Sequence, residues 1–332
     1  MKFLIAGLGS IGTRHLNNLV ALGEQDILLY RTHQSMPPNT PLSNLVVETD
    51  LTAALSHRPD AVIISNPTAL HLDIAIPAAE AGCHLLIEKP VSHNWGRIDQ
   101  LVNTVAKNTC QVLVGYQFRF HPGLQQVRHL LSEGAIGRPL TARAHWGEYL
   151  PGWHPWEDYR QGYSAQPELG GGVVLTLSHP LDYFLWMFGE VEQLHTITGK
   201  FGDLDIAVED TAEILAKFKH GIVASIHLDY NQSPPSHTLE IIGTAGFIHW
   251  DNCDGAVHLY THSDDHSASS QPTVFSPKSP FNQDAPFERN HLFLAEMQHF
   301  IRVVKGEAEP VCSLEDGLKT LQLALRCLET PA

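Results

Sequence analysis

The sequence predicts an α/β domain with a parallel sheet, followed by an α+β domain with a large, mainly antiparallel open sheet. Three observations predict it. Apolar, strand-like runs alternate with helical stretches of about 10–15 residues as far as Tyr116, the pattern of βαβ units. Beyond it, strand candidates follow one another with only turns between them, which is an antiparallel pattern. With 332 residues, 43% hydrophobic and 17% charged, the chain has material for about two globular domains. The change of character near residues 117–121 sets expected domains at 1–118 and 119–332.

Each element follows in order. Residues 2–7 form a strand candidate, and Gly7-Leu8-Gly9-Ser10-Ile11-Gly12 leads into an amphipathic helix to about Leu22. Asp26–Tyr30 is the second strand, Val46-Val47 a short one, and Leu51–His57 a short helix. Ala61–Ser65 is a further apolar strand. Thr68 suits the cap of a helix from about Leu70 to Ala81, which Gly82 stops. His84–Glu88 is the next strand, and Pro90 bars its continuation. Asn94–Lys107 predicts a helix and Val112–Tyr116 a closing strand.

Pro122–Ser132 then reads as a helix, Leu140–Trp146 as an alternating strand, and 147–169 as irregular chain rich in Trp, Tyr, Pro and His. Gly170-Gly171-Gly172 opens one apolar helical segment ending near Phe188-Gly189. Strands are expected at Val191–Lys200, Ala212–Phe218, Ile222–Asp229, Thr238–Ile242, Phe247–Trp250 and Ala256–Tyr260. Residues 261–286 are polar and proline-rich, the composition of an exposed loop. Helices at about Asn290–Val304 and Leu314–Leu328 end the chain, and there is no internal repeat.

A formal charge of −15 disfavours nonspecific binding to nucleic acid or an anionic membrane. No apolar run reaches the ~20 residues of a membrane span, and the first residues lack the regions of a signal peptide. Five cysteines without any C-x-x-C spacing point to free thiols in a reducing, cytoplasmic setting. There are 21 histidines, so the charge becomes less negative as pH falls through ~6.5. His258, His262 and His266 have i, i+4 spacing but lie in a Ser/Asp-rich stretch without helix character. They read as a solvated loop, and no metal site is expected in the chain.

G-x-G-x-x-G is informative here because a strand precedes it and a helix follows. Gly7 permits the tight turn, Gly9 lets a pyrophosphate approach the backbone, and Gly12 lets helix and strand pack closely. Ser10, Ile11 and Gly12 stand at a helix N-terminus, where N–H groups and the dipole favour phosphate. The end of the second strand reads the flavour of dinucleotide. An acid about 20 residues on would bond a ribose 2′-hydroxyl. The chain has Tyr30-Arg31-Thr32-His33 instead, with Arg31 nineteen residues after Gly12. Arg31 suits a 2′-phosphate through charge-assisted hydrogen bonds, so NADP is expected over NAD, with NAD still possible. Stacking on adenine and pointing into water are the other readings of that side chain.

The run His84–Ile87 ends in Glu88-Lys89-Pro90, an acid, a base and a proline. Ligands of open parallel sheets sit beyond the carboxyl ends of the strands, which would bring Lys89 to such a crevice. Alone, the tripeptide is as readily a surface corner. Further motifs accompany it: Gly7–Gly12 with His15, Asn66-Pro67-Thr68 with His71, Gly115-Tyr116 with Arg119-Phe120-His121-Pro122, and Gly170-Gly171-Gly172 leading to His179 and Asp182. In this order and spacing they resemble the Gfo/Idh/MocA family of nicotinamide-dependent sugar oxidoreductases over nearly the whole chain. The resemblance implies an N-terminal Rossmann domain and a C-terminal domain whose open sheet supports oligomers, so a homo-oligomer, dimer or tetramer, is expected. It further implies cofactor contacts at Asn66, Pro67, Thr68, His71, Glu88 and Lys89, and catalytic roles for Lys89 and His179. A cis bond before the proline matching Pro90 is common in the family. One departure stands out. Many members have an aspartate four residues before the histidine matching His179, where this chain has Leu175, followed by Thr176. On a continuous helix Thr176 would be i−3 to His179 and share its face.

Oxidising a secondary alcohol removes a hydride and a proton from one centre. The cofactor carries the hydride chemistry and the protein supplies orientation, acid/base groups and field. His179 suits the proton, Lys89 the developing alkoxide charge, and Asp182, one turn after His179, the orientation of its ring. The stretch Trp146–Arg160 is the expected substrate determinant: Trp153 and Trp156, with His154 and Tyr159, offer flat faces to sugar C–H groups, and Arg160 suits a carboxylate or phosphate. The same aromatics would equally cover an interface. Tyr116, Arg119 and His121 are expected to line the substrate cleft with Thr176 and His179, Arg119 having the alternative of pairing an acid between domains. The expected activity is NADP(H)-dependent hydride transfer to or from a secondary alcohol or carbonyl of a sugar, polyol or sugar-derived acid. The alternatives are a nonenzymatic NAD(P)-binding sensor and a redox-neutral, glycosidase-like enzyme that recycles bound NAD(H).

Overall fold

The computed structural model describes residues 1–32, 45–261, 271–282 and 284–329. The first half runs β1 (Lys2–Ala6), α1 (Ser10–Ala21), β2 (Asp26–Tyr30), β3 (Val46–Glu48), α2 (Leu51–Ser56), β4 (Ala61–Ile64), α3 (His71–Glu80), β5 (His84–Glu88), α4 (Ile98–Lys107) and β6 (Val112–Gly115). Next come α5 (Pro122–Ser132), β7 (Pro139–Gly147), α6 (Val173–Thr176), α7 (His179–Phe188), β8 (Val191–Gly199), β9 (Thr211–Phe218) and β10 (Val223–Asp229). The chain ends with β11 (Ser236–Gly243), β12 (Gly246–Asp251), β13 (Val257–Thr261), β14 (Thr273–Phe275), α8 (Asn290–Val304) and α9 (Leu314–Glu329). No helix among the described residues is long and apolar enough to cross a membrane.

One compact unit holds Met1–Gln117, Glu168–Gly170 and Leu292–Leu321. Its sheet is parallel, in the order β3-β2-β1-β4-β5-β6. Strands β4 and β6 are buried along their length, which is why they read as unbroken apolar runs. The order reverses between β1 and β4, so the loops after these neighbouring strands diverge at a switch point, the usual place for a ligand in such sheets.

Two expectations are corrected in this unit. The fourth helix starts at Ile98 and not at Asn94, because Asn94 accepts the Gly96 N–H at 2.8 Å and Arg97 is left-handed at φ 65°. Such local side-chain bonds compete with a helix start. The division at residue 118 also separates too much of the C-terminus from the sheet, since α8 from Leu292 and the first half of α9 belong to this unit. Arg14 lies over the Phe293 ring at 4.5 Å, and the Val114 N–H donates to the Cys312 carbonyl at 2.9 Å. A helix's apolar periodicity shows that it covers a sheet, not which sheet.

The second unit holds Phe118–Pro167, Gly171–His291 and Gln322–Ala332. Its eight strands run β14-β13-β12-β11-β7-β10-β9-β8. Neighbours are antiparallel except β7 and β10, which are parallel. Along β9, Ala212, Ile214, Ala216 and Phe218 are buried while Glu213 and Leu215 are exposed, so one face makes a core and the other is open. The edge strand β14 falls within the stretch expected to be loop; it is three residues long and paired to β13 through Val257↔Phe275. The single apolar helix expected after the glycines is two, broken at Leu177-Ser178. Pro180 has no N–H to give the Thr176 carbonyl, which accounts for the break, and it then suits the first turn of α7.

Candidate active site

In the first unit, the loop after β1 is shaped by its glycines. Gly7 has φ +96°, and a Cβ there would lie 2.8 Å from the Asn66 nitrogen. A Cβ on Gly12 would lie 2.1 Å from the Gly7 oxygen, so helix and strand meet only because it has none. A Cβ on Gly9 would meet nothing within 4 Å. Gly9 is also the N-cap of α1 and brings no side chain to its first turn. The N–H groups of Ser10, Ile11 and Gly12 therefore lack a side-chain cap beside an open backbone. This fits a dinucleotide pyrophosphate. Arg31 is partly exposed just past β2, where its N–H donates to the Glu48 carbonyl at 3.1 Å; His33 lies outside the described residues.

The loops after β4 and β5 are tied together by His71. Its buried ring lies between the Asn66 and Pro90 carbonyls, each at 3.0 Å. Burial lowers its pKa, so the ring is neutral and donates to one carbonyl at a time. His71 thus braces Asn66, Pro67 and Thr68 against the Lys89 loop and is itself 1% exposed, a different place from the cofactor contact expected of it. Thr68 is buried at the start of a 3-10 turn and makes no side-chain cap for the helix. Lys89 is partly exposed just beyond the carboxyl end of β5, and its bond to Pro90 is cis. Glu88 is buried behind it, 2.6 Å from His15 through Oε1, with Oε2 accepting the Lys89 N–H at 3.4 Å. Glu296 of α8 completes that cluster. Burial, and then the charge of Glu88, push the Glu296 carboxyl well up, which keeps it protonated.

In the second unit, His179 opens α7 and is 5% exposed. Its ring lies 4.9 Å from Phe118 and 5.6 Å from Trp146. Trp146 stacks on His237 at 3.9 Å and donates from Nε1 to Glu148 Oε1 at 3.0 Å. His237 Nε2 is 2.8 Å from the same oxygen. Burial pushes the Glu148 carboxyl up, and the bonds from His237 and Trp146 more than offset it, so Glu148 is held ionised. Trp146 and Glu148 lie in the stretch 146–160 expected to determine the substrate, whereas nothing in the sequence points to His237. Strand alternation puts Trp146 and Glu148 on one side, but only the β7–β11 register adds His237.

Several expected site residues stand elsewhere. Asp182 is committed to Arg119, which reaches both carboxylate oxygens at 2.8–3.2 Å; side-chain exposures are 3% and 2%. Arg119 therefore pairs an acid, but within the second unit and not between domains. His121 is fully buried and accepts the Gly123 N–H at 2.9 Å as N-cap of α5; burial pushes its pKa down to about 3, so it is neutral. Tyr116 has no exposed surface. Thr176 is separated from His179 by the helix break, so the i−3 relation of a continuous helix fails. Trp153 packs edge-on against Tyr230 at 5.6 Å. Trp156 is 76% exposed, and Arg160 is paired with Asp158 at 2.8 Å and Asp205 at 3.5 Å.

Glu209 underlies the triple-glycine turn. Its Oε1 accepts the Val174 N–H at 3.2 Å, and a Cβ on Gly172 would lie 2.4 Å from it. Burial raises its pKa to about 7, with the charge of Asp210 adding to the effect. A carboxyl raised in the folded state contributes stability below its ordinary pKa of 4.5 and loses it as pH rises to about 7. The melting temperature should therefore fall between those values, and Glu209→Gln should flatten that fall. An unchanged pH profile in the variant would contradict the assignment.

Comparison with known families decides the wider identity. Residues 1–116 match the model "Oxidoreductase family, NAD-binding Rossmann fold", and 124–249 match "GFO/IDH/MocA C-terminal domain". The chain belongs to the Gfo/Idh/MocA family. It is 26% identical to myo-inositol 2-dehydrogenase of Thermotoga maritima over 97% of this chain and 94% of that protein. It is 25% identical to 1,5-anhydro-D-fructose reductase of Ensifer adhaerens over 82% and 78%. A 30% identical match, an uncharacterized oxidoreductase of Synechocystis, covers 57% of this chain, and only 53% of that protein's length is spanned. The structure of levoglucosan dehydrogenase in complex with NADH superposes with a TM-score of 0.87 at 18% identity, covering 99% of this chain and 96% of that one. Its first domain is that of an oxidoreductase family with an NAD-binding Rossmann fold.

Proposed function

We propose that the enzyme transfers hydride between a nicotinamide dinucleotide and a secondary alcohol or carbonyl of a sugar, polyol or sugar-derived acid. The observation that carries this reading is Lys89, partly exposed just past β5 in the same sheet whose β1 loop is open at Gly9. Relatives named for myo-inositol, anhydrofructose and levoglucosan support a polyhydroxylated substrate. The bound nicotinamide supplies the hydride acceptor or donor. Lys89, as an ammonium, hydrogen-bonds the substrate oxygen and stabilises alkoxide charge. His179 holds or returns the hydroxyl proton. His15 and Glu88 keep the Lys89 backbone in place from beneath. Asp182 acts on none of this directly; with Arg119 it anchors α7. A panel of polyols, aldoses, inositols and anhydrosugars, followed by nicotinamide absorbance, tests the proposal. No change in absorbance with any of them, in either direction, would count against it.

Arg31 favours NADP over NAD, because no acid stands at its place to take a ribose 2′-hydroxyl. NADPH should bind more tightly than NADH, and Arg31→Ala should remove about 10–100-fold of that preference, the worth of a charge-assisted bond of about 1.5–3 kcal/mol. Tighter binding of NADH by the natural chain would refute the preference. Exposed Leu215 and Ile242 on the open face of the eight-stranded sheet support a homo-oligomer through that face. All five cysteines are free, which supports a reducing, cytoplasmic location.

A further inference from the structure

The open face of the eight-stranded sheet carries a second cluster. His145 on β7 and His227 on β10 are register partners across the one parallel pair, and Glu213 on β9 is the register partner of His227 on the other side. The two imidazole rings stack at 4.5 Å. His145 Nε2 lies 2.5 Å from Gln232 Oε1, and His227 Nε2 lies 2.9 Å from Asp229 Oδ2. Those two oxygens converge over Gly147, each 2.3 Å from where its Cβ would be. Any side chain at residue 147 would fill the place where they meet. Two imidazole nitrogens and two oxygens therefore point into one small volume, and the His145, His227 and Asp229 donor atoms lie within 4.8 Å of one another.

We propose that His145, His227 and Asp229, with Gln232 as a fourth donor, form a binding site for a divalent transition-metal ion of the zinc type. Two imidazoles with a carboxylate and one more oxygen are a suitable donor set for tetrahedral zinc. Bonds of about 2.0–2.1 Å place such ligands about 3.3 Å apart, within reach by rotation of the rings. The surroundings are those of a ligating set. His227 Nδ1 faces Glu213 Oε1 at 2.6 Å, the carboxylate–histidine arrangement that fixes a metal-bound ring. Asp229 Oδ1 accepts the Asn231 and Gln232 N–H groups, both at 2.7 Å, which leaves Oδ2 for the site. The ion would clamp β7, β10 and the 229–232 turn. Lys89 and the glycine loop belong to the first unit.

The test is titration of the chelator-treated full-length protein with Co²⁺ at pH 8, followed by displacement with Zn²⁺. One equivalent should bind with the intense visible absorption of tetrahedral cobalt, and Zn²⁺ should bleach it. His145→Ala and His227→Ala should abolish that spectrum. Glu213→Gln, which removes only the ring's support, should weaken binding about 10–100-fold. His258→Ala should change nothing. Absence of the spectrum in the natural protein, or the same spectrum in His227→Ala, would overturn the proposal.

Discussion

Lys89→Met should lower turnover by about 10²–10⁴-fold, the range for loss of one acid/base or charge-stabilising group. The methionine keeps an apolar stem of similar length and removes the ammonium. Since Lys89 is proposed to act on the substrate oxygen, NADPH affinity, read by fluorescence titration, should hold within about threefold. His179→Asn should reduce turnover comparably. Lys89→Met protein that turns over at near the natural rate would defeat the mechanism. A loss of turnover matched by loss of cofactor binding would move Lys89 from the chemistry to the dinucleotide site.

Arg119→Leu should destabilise the protein by about 3–5 kcal/mol, because it leaves the Asp182 carboxylate buried without its partner. Asp182→Leu should cost a similar amount by stranding the guanidinium. The double variant should recover most of the loss, since two apolar groups of similar size strand no charge. Denaturant unfolding of the four proteins provides the cycle. The pair lies one turn beyond His179, so the cycle also separates two roles for Asp182. If its carboxylate served the His179 ring, Asp182→Asn would reduce kcat at nearly unchanged stability. Anchoring predicts the opposite, a loss of stability with kcat kept in the folded fraction.

Much of the first unit was legible in the residues. A strand buried on both faces must be apolar throughout, so Ala61–Ile64 and Val112–Gly115 stood out. The glycine loop was legible because its roles are steric: a Cβ at Gly7 or Gly12 would collide with backbone, while Gly9 is open. The break between α6 and α7 had a local signal as well. Pro180 lacks the donor that a continuous helix would need, yet the surrounding apolar periodicity hid it.

The side chains that turned out otherwise failed for a shared reason. Arg119, His121 and Asp182 bear groups that suit a ligand, and the sequence does not show whether protein atoms already use them. In the fold, Arg119 and Asp182 satisfy each other and His121 caps α5. Conversely, Glu148 and His237 are far apart in the chain and meet only because β7 and β11 pair in one register.

By itself the sequence determined the two kinds of sheet, the dinucleotide loop, Lys89 at a strand end and the family, because strand periodicity, turn sterics and short motifs are local properties. Only the tertiary structure decided that α8 joins the first unit, that Asp182 belongs to Arg119, and that His145, His227 and Asp229 share one patch. Those outcomes depend on strand register and on which charges find partners during burial, and both are set by contacts between residues distant along the chain.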